Sequence, residues 1–253
     1  MSTIKEKMYF NFNGRNSSDF GILAVDLGSN LYEEVFAPSR TINQTQTASG
    51  RNIFHNIQED LRTYDLNLAF ETGFDETLID EIVRWLFLDY YKPLYFEGLQ
   101  DRVMFAIIAG DSSLIHNGMN EGYFTVTIQT NSPYLFSQVK TQSKTITTTG
   151  TIPIVNRGHL DVYPELSIKK VGDGDLTIKI DGRSVKITNL KNNENIYIDT
   201  LREIIKTDLT ATYRYGNIVS GELEDLFVGM GNKEYVVTGS SVIAYRFREK
   251  YRV

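Results

Sequence analysis

One stretch of this chain carries the helical period, while the other apolar runs alternate or are cut short by turn residues. It begins at Phe74-Asp75-Glu76-Thr77-Leu78-Ile79. Asp75 is a natural N-cap, Glu76 falls where the positive end of the helix dipole favours an acid, and Phe74 is placed to staple against Ile79. Apolar residues then recur at Leu78, Ile79, Ile82, Val83, Trp85, Leu86 and Phe87, with Asp80, Glu81, Arg84 and Asp89 between them, which predicts one buried face. Pro93 is expected to end the helix, because it pushes Lys92 out of the helical region and has no N–H to donate. Strands at Leu94–Phe96 and Val103–Ile108 follow, separated by a turn at Glu97-Gly98. One helix laid across a sheet narrows the choice to a mainly β fold.

Further strand-like runs in the first half are Lys7–Phe12, Gly21–Leu27, Thr63–Glu71 and Gly122–Thr130, with turns expected at Asn13-Gly14 and Asp111-Ser112-Ser113. Between Val35 and Asn56 lies a segment that reads as polar on nearly all sides and is too long for an idle loop. Its threonines recur at every second or fourth position from Thr41 to Thr47, which suggests an extended hairpin arm wanting a partner. Past Pro133 the composition shifts to the Thr-rich stretch 140–150, and a junction near Ser132–Val139 divides the chain into domains of residues 1–136 and 137–253. In the second domain short strands alternate with turns. Leu176-Thr177-Ile178-Lys179-Ile180 and Ser184-Val185-Lys186-Ile187 flank Asp181-Gly182 as a hairpin, and the regular spacing means a β-sandwich or barrel.

The 253 residues suffice for two such cores. There is no cysteine, which removes disulfides and thiolate chemistry and fits assembly in a reducing cytoplasm. No run approaches the roughly 18 apolar residues of a membrane helix, and Met1–Lys7 lacks the apolar core of a signal peptide. The net charge of −6 is unevenly divided: residues 1–136 carry 9 basic against 18 acidic side chains, and residues 137–253 carry 17 against 14. An acidic half of this kind repels nucleic acid.

Catalytic constellations are missing. His55, His116 and His159 share no metal-ligand spacing, and Gly229-Met230-Gly231 lacks the third glycine and the helix of a phosphate loop. Asp173-Gly174-Asp175 is not followed by the remaining ligands of a calcium loop. No cofactor is implied. Tyrosines at 197, 213, 215, 235 and 245 admit two readings, core packing or a sugar-stacking platform, the latter centred on Tyr213 and Tyr215. Arg246, Arg248, Lys250 and Arg252 alternate with Phe247, Glu249 and Tyr251, so a strand there sets four cations on one face, suited to an acidic neighbour.

Several motifs, in order, resemble the distal tail proteins of siphophages (the siphovirus-type tail component, Dit). They are Phe10-Asn11-Phe12-Asn13-Gly14, Ser18-Asp19-Phe20-Gly21-Ile22, Ser49-Gly50-Arg51-Asn52 with Ile53 in place of the usual glycine, and Pro93-Leu94-Tyr95-Phe96. Tyr123-Phe124-Thr125-Val126 leading to Pro133-Tyr134, then Asn156-Arg157-Gly158, Tyr163-Pro164-Glu165-Leu166, Gly229-Met230-Gly231-Asn232 and Tyr245-Arg246, continue the series over essentially the whole chain. The resemblance implies a mainly β protein. Its first domain would be a sandwich-like ring-forming unit with one helix and a protruding hairpin, and its second a galectin-like or carbohydrate-binding-module-like β-sandwich. It further implies a non-enzymatic hub of the virion tail tip, assembled in the host cytoplasm as a homohexamer in one ring or two stacked rings. The partners implied are the major tail tube protein, a tail-tip or tail-lysin protein and a receptor-binding protein, with DNA passing through the channel unbound. In that setting Arg40, Asn43, Gln44, Thr45, Gln46 and Arg51 of the arm would contact the neighbouring copy. The alternative function is a saccharide-binding module used in attachment to the host cell wall.

Overall fold

The computed structural model describes residues 7–25, 38–118 and 121–252. Asp26 and Leu27 of an expected strand, Val35–Ala37 at the root of the expected arm, and residues 1–6 lie outside the described residues. Two compact units are present: one takes the chain up to Phe136 and again from Arg252, the other takes Ser137–Tyr251.

The first unit contains β1 (Lys7–Met8), β2 (Phe10–Phe12), β3 (Arg15–Asn16), β4 (Ile22–Val25), β5 (Arg40–Gln46), β6 (Asn52–Glu59), β7 (Thr63–Phe70), α1 (Glu76–Leu86), β8 (Lys92–Phe96), β9 (Met104–His116), β10 (Gly122–Thr130) and β11 (Leu135–Phe136). Eight of these strands form one sheet in the order β1-β4-β7-β10-β9-β8-β2-β3, every pair antiparallel, while β5 and β6 form a hairpin of their own. Only Tyr9 separates β1 at one edge from β2 beside the other, so the sheet rolls round until its ends meet. Phe10, Phe12, Ile22, Leu68, Leu94 and Ile128 fill the interior. The Asn13-Gly14 turn forms as expected, with φ of 52° and 82°, and the Asn11 side chain accepts the Gly14 N–H at 3.0 Å.

Helix α1 starts where the sequence places it, with the Asp75 carboxylate accepting the Leu78 N–H at 2.7 Å. Ile82, Trp85 and Leu86 are buried. The Trp85 ring stacks on Phe20 at 4.4 Å and Phe10 at 5.6 Å, and its N–H donates to the Phe12 carbonyl at 2.8 Å, which fastens the helix to β2. Three expectations need correction. The helix ends at Leu86, well before Pro93, because the next positions on its buried side, Asp89 and Tyr90, are exposed and a further turn would bury nothing; Pro93 sits near the start of β8. Val83 and Phe87 face outward and belong to no core. Asp111-Ser112-Ser113 make no turn, since β9 runs through to His116 and takes them up in a bulge: Thr125 pairs with Ser113 but Thr127 with Ala109. Gly110, at φ +75°, supplies the left-handed backbone there.

The second unit contains β12 (Lys140–Ile146), β13 (Thr149–Asn156), β14 (Glu165–Lys170), β15 (Gly174–Ile180), β16 (Arg183–Leu190), β17 (Asn195–Asp199), β18 (Ile204–Thr207), β19 (Ile218–Ser220), β20 (Gly231–Thr238), β21 (Ser241–Phe247) and β22 (Lys250–Tyr251). Two five-stranded antiparallel sheets, β12-β21-β14-β17-β18 and β13-β20-β15-β16-β19, enclose one core that includes Ile152, Leu166, Ile178, Val185, Ile198 and Tyr235. This is the expected β-sandwich. The Thr-rich stretch lacks a core period because it provides an edge strand to each sheet. Asp181-Gly182 turns β15 into β16 with φ of 49° and 81°, the signature of a type I′ hairpin.

Candidate functional site

The β5–β6 hairpin is the arm that the sequence suggested, and its surface differs from the expected one. The register pairs Arg40 with Glu59, Ile42 with Ile57 and Gln44 with Phe54 on one face; Thr41 with Gln58, Asn43 with Asn56 and Thr45 with Ile53 lie on the other. A bulge at His55 makes this possible, since one extra residue in β6 brings Phe54 and Ile57 to the same side despite their odd spacing. The first face is therefore an apolar stripe open to solvent, with Ile42 56%, Phe54 59% and Ile57 46% exposed. The second carries a polar ladder: the Asn43 amide donates to Asn56 Oδ1 at 2.6 Å, and Thr45 Oγ1 meets His55 Nε2 at 2.8 Å.

At the tip, the Thr47 N–H donates to the Arg51 carbonyl at 2.8 Å and Gly50 adopts φ +78°. At the root the Arg40 guanidinium grips Glu59 Oε1 through Nε at 3.1 Å and Nη2 at 2.8 Å, and Arg252 Nε lies 3.0 Å from the same oxygen. Burial alone would raise the Glu59 carboxyl. Hydrogen bonds from Tyr134 and Arg40, with the charges of Arg252 and Arg40, outweigh it and hold the group below the ordinary glutamate range. Of the arm residues singled out in the sequence, Arg40, Asn43 and Thr45 are thus occupied within the hairpin, Gln44 lies beside Phe54, and Gln46 and Arg51 sit toward the tip. The exposed apolar residues left to meet a partner are Ile42, Phe54 and Ile57 on the first face and Ile53 on the second, which the polar reading missed. The signal was present as a β-branched and aromatic excess in Ile53-Phe54…Ile57, but the bulge hid its phase.

The other sequence candidates are scattered. Alternation holds to the end, with Phe247, Glu249 and Tyr251 buried, yet the four cations are each engaged separately. Arg246 lies 3.9 Å from Glu165, Arg248 donates to the Ser137 carbonyl at 2.8 Å, the Lys250 ammonium stands 5.8 Å over the Tyr163 ring, and Arg252 belongs to the first unit at Glu59. The continuous strand expected there breaks at Arg248–Glu249. Tyr235 and Tyr245 are core residues. Tyr213 is 85% exposed, while Tyr215 turns its hydroxyl to accept the Ile205 N–H at 3.4 Å on the edge strand β18. His55, His116 and His159 lie on β6, on β9 and in the loop before β14.

Residues 5–132 match the family described as phage tail protein N-terminal domain. The SPbeta prophage-derived protein YomH of Bacillus subtilis (strain 168) is 31% identical over 254 residues, covering 98% of this chain and 99% of the relative. Among solved structures, the SPP1 Dit protein, described as a paradigm of the hub adsorption apparatus in phages infecting Gram-positive bacteria, superposes with a TM-score of 0.69 at 15% identity, over 97% of this chain and 99% of that one. A chain of the phage P2 baseplate in its activated conformation follows with a TM-score of 0.50 at 11% identity, over 95% and 98%. With the family model matching residues 5–132 and the prophage relative matched end to end, the chain belongs to the phage tail protein family, and it has the fold of the Dit distal tail proteins.

Proposed function

We propose that this tail protein is the hub of a siphophage tail tip, a hexameric ring joining the tail tube protein to tail-tip, tail-lysin and receptor-binding proteins. The observation that carries this reading is the free-standing hairpin. A two-stranded ribbon is marginal in water by itself, and this one pairs with no other strand among the described residues and shows Ile42, Phe54 and Ile57 to solvent. Glu59 at its root is engaged by Arg40, which leaves Arg51 toward the tip as the cation it presents, within a domain whose balance is 9 basic against 18 acidic residues. An arm of this kind suits an acidic neighbouring copy, and a head-to-tail contact between copies closes into a ring when the rotation allows it. A predominantly acidic ring domain would let DNA pass without the phosphate contacts that give nonspecific affinity. The role is structural, with no reaction assigned.

Light scattering on the purified protein across a concentration series tests the reading. A mass of six or twelve copies is expected for the wild type, and Phe54→Asp combined with Ile57→Asp should return it to a monomer with an unchanged melting temperature. A wild type that stays monomeric at every concentration, and in the presence of the tail tube protein, overturns the hub assignment.

A further inference from the structure

Two Asn-Gly pairs occur in the chain, Asn13-Gly14 and Asn117-Gly118, and the fold sets them in different surroundings. An asparagine before glycine is chemically vulnerable, because the next backbone nitrogen can attack the side-chain carbonyl carbon and glycine has no Cβ to obstruct the approach. That nitrogen is an amide, and a poor nucleophile until a base removes its proton. In the Asn13-Gly14 turn the Gly14 N–H donates to Asn11 Oδ1 at 3.0 Å, an amide oxygen too weakly basic to take the proton. The Asn13 N–H donates to the Pro93 carbonyl at 2.9 Å, which pins that turn further.

Asn117-Gly118 follows β9 and is exposed. Here the Gly118 N–H donates to His116 Nδ1 at 3.1 Å, within the reach of a general base, with the ring's own proton on Nε2. The Phe74 ring meets the imidazole edge to face at 6.2 Å and steadies it. Asn117 Nδ2 donates to Glu121 Oε2 at 3.0 Å, and the Asn117 N–H to the Glu121 carbonyl at 3.1 Å. A Cβ on Gly118 would meet nothing within 4 Å, so this peptide has room to swing toward Asn117.

We propose that Asn117-Gly118 is a self-modification site, at which His116 is the general base that converts Asn117 to aspartate and isoaspartate. His116 Nδ1 takes the Gly118 amide proton as the nitrogen bonds to Asn117 Cγ, closing a succinimide ring. The Cγ–Nδ2 bond breaks, and the side-chain nitrogen leaves as ammonia with the proton that the imidazolium returns. The Glu121 carboxylate already holds that nitrogen. Water then opens the ring, giving aspartate when it attacks Cγ and isoaspartate when it attacks the main-chain carbonyl. No electrons are exchanged, and water is the sole co-reactant. The product replaces the Asn117–Glu121 hydrogen bond with two facing carboxylates, a like-charge contact that loosens the loop joining β9 to β10.

The test ages the purified full-length protein at neutral pH in water enriched in the heavy oxygen isotope and follows both pairs by peptide mass spectrometry. Label should enter at Asn117 about tenfold or more faster than at Asn13, which serves as the clock in the same sample. His116→Ala should slow Asn117 about tenfold or more with the Asn13 rate and the circular dichroism spectrum unchanged. Added imidazole should then restore part of the rate, as a lost base allows and a lost prop does not. Gly118→Ala should slow the reaction too, by crowding the approach. Equal rates at the two pairs, an Asn117 that takes up no label, or a His116→Ala variant that ages like the wild type overturns the proposal. A slowed His116→Ala variant that imidazole cannot rescue would make His116 a support for the loop and overturn its role as base.

Discussion

Glu194 has a side chain closed to solvent and four donors on its two oxygens. Arg214 donates from Nε at 2.7 Å and Nη2 at 2.6 Å, the Thr207 hydroxyl at 2.6 Å and the Lys191 N–H at 2.8 Å. A buried pair is a modest source of net stability when intact and a large liability when halved, since the surviving charge has no solvent to turn to. Glu194→Gln should therefore cost about 3 kcal/mol in urea titrations followed by circular dichroism. Burial raises this carboxyl, but the Arg214, Lys191 and Thr207 hydrogen bonds outweigh it and hold the group below its ordinary range. The lowered value fixes the direction of the pH effect: the contribution is fully present above the unfolded value of about 4.3 and is lost as pH falls through the folded one. Acid titration of the wild type should thus show stability declining below about pH 4.3, and Glu194→Gln should flatten that part of the curve. Sequence inspection had no access to this pair, because an arginine and a glutamate twenty positions apart carry no sign of being neighbours. The tyrosines flanking Arg214 drew the eye as a sugar platform, while the structural anchor lay between them.

Among the elements, the helix was the most legible, because its cap and its apolar period are local. Asp75→Ala should cost about 1 kcal/mol of first-unit stability by removing the acceptor for the Leu78 N–H. The turns at Asn13-Gly14 and Asp181-Gly182 were legible for the same reason: each needs two residues at positive φ, and the sequence offers residues that tolerate it. The failures were at the bulges. One extra residue in β6 breaks the two-residue period, so an apolar stripe was read as a polar arm, while two extra residues in β9 keep the phase but bulge out a polar cluster that was read as a turn. Removing the extra residue, by deleting His55, should leave Phe54 and Ile57 two positions apart and so still on one face. The expected outcome is a folded protein whose oligomer mass is kept, read by light scattering against an unchanged circular dichroism spectrum.

Taken whole, the molecule carries its single tryptophan in the first unit, wedged between Phe10 and Phe20. Fluorescence therefore reports on that unit alone, while circular dichroism reports on both. Asp75→Ala should shift the fluorescence midpoint, and Glu194→Gln should shift only the dichroism curve; a common shift in both would mean that the two units unfold as one cooperative body. Charge acts at the same scale. Arg51 toward the arm's tip, in an acidic domain, gives the proposed assembly an electrostatic component that salt weakens, so the mass measured by light scattering should fall as ionic strength rises.

The meeting of Arg252 with Glu59 has a consequence for timing. During synthesis the root of the arm can be held by Arg40 as soon as residue 59 is made, but the second arginine arrives only after the whole of residues 137–251 has been translated. Until then the Glu59 carboxylate lacks one of the two cations that lower its pKa. The arm of a nascent or truncated chain is thus less firmly seated than that of a finished one. The last-made arginine and one of the first-made carboxylates meet at the root of the same arm, so that an early and a late part of the described chain are tied by one ion pair.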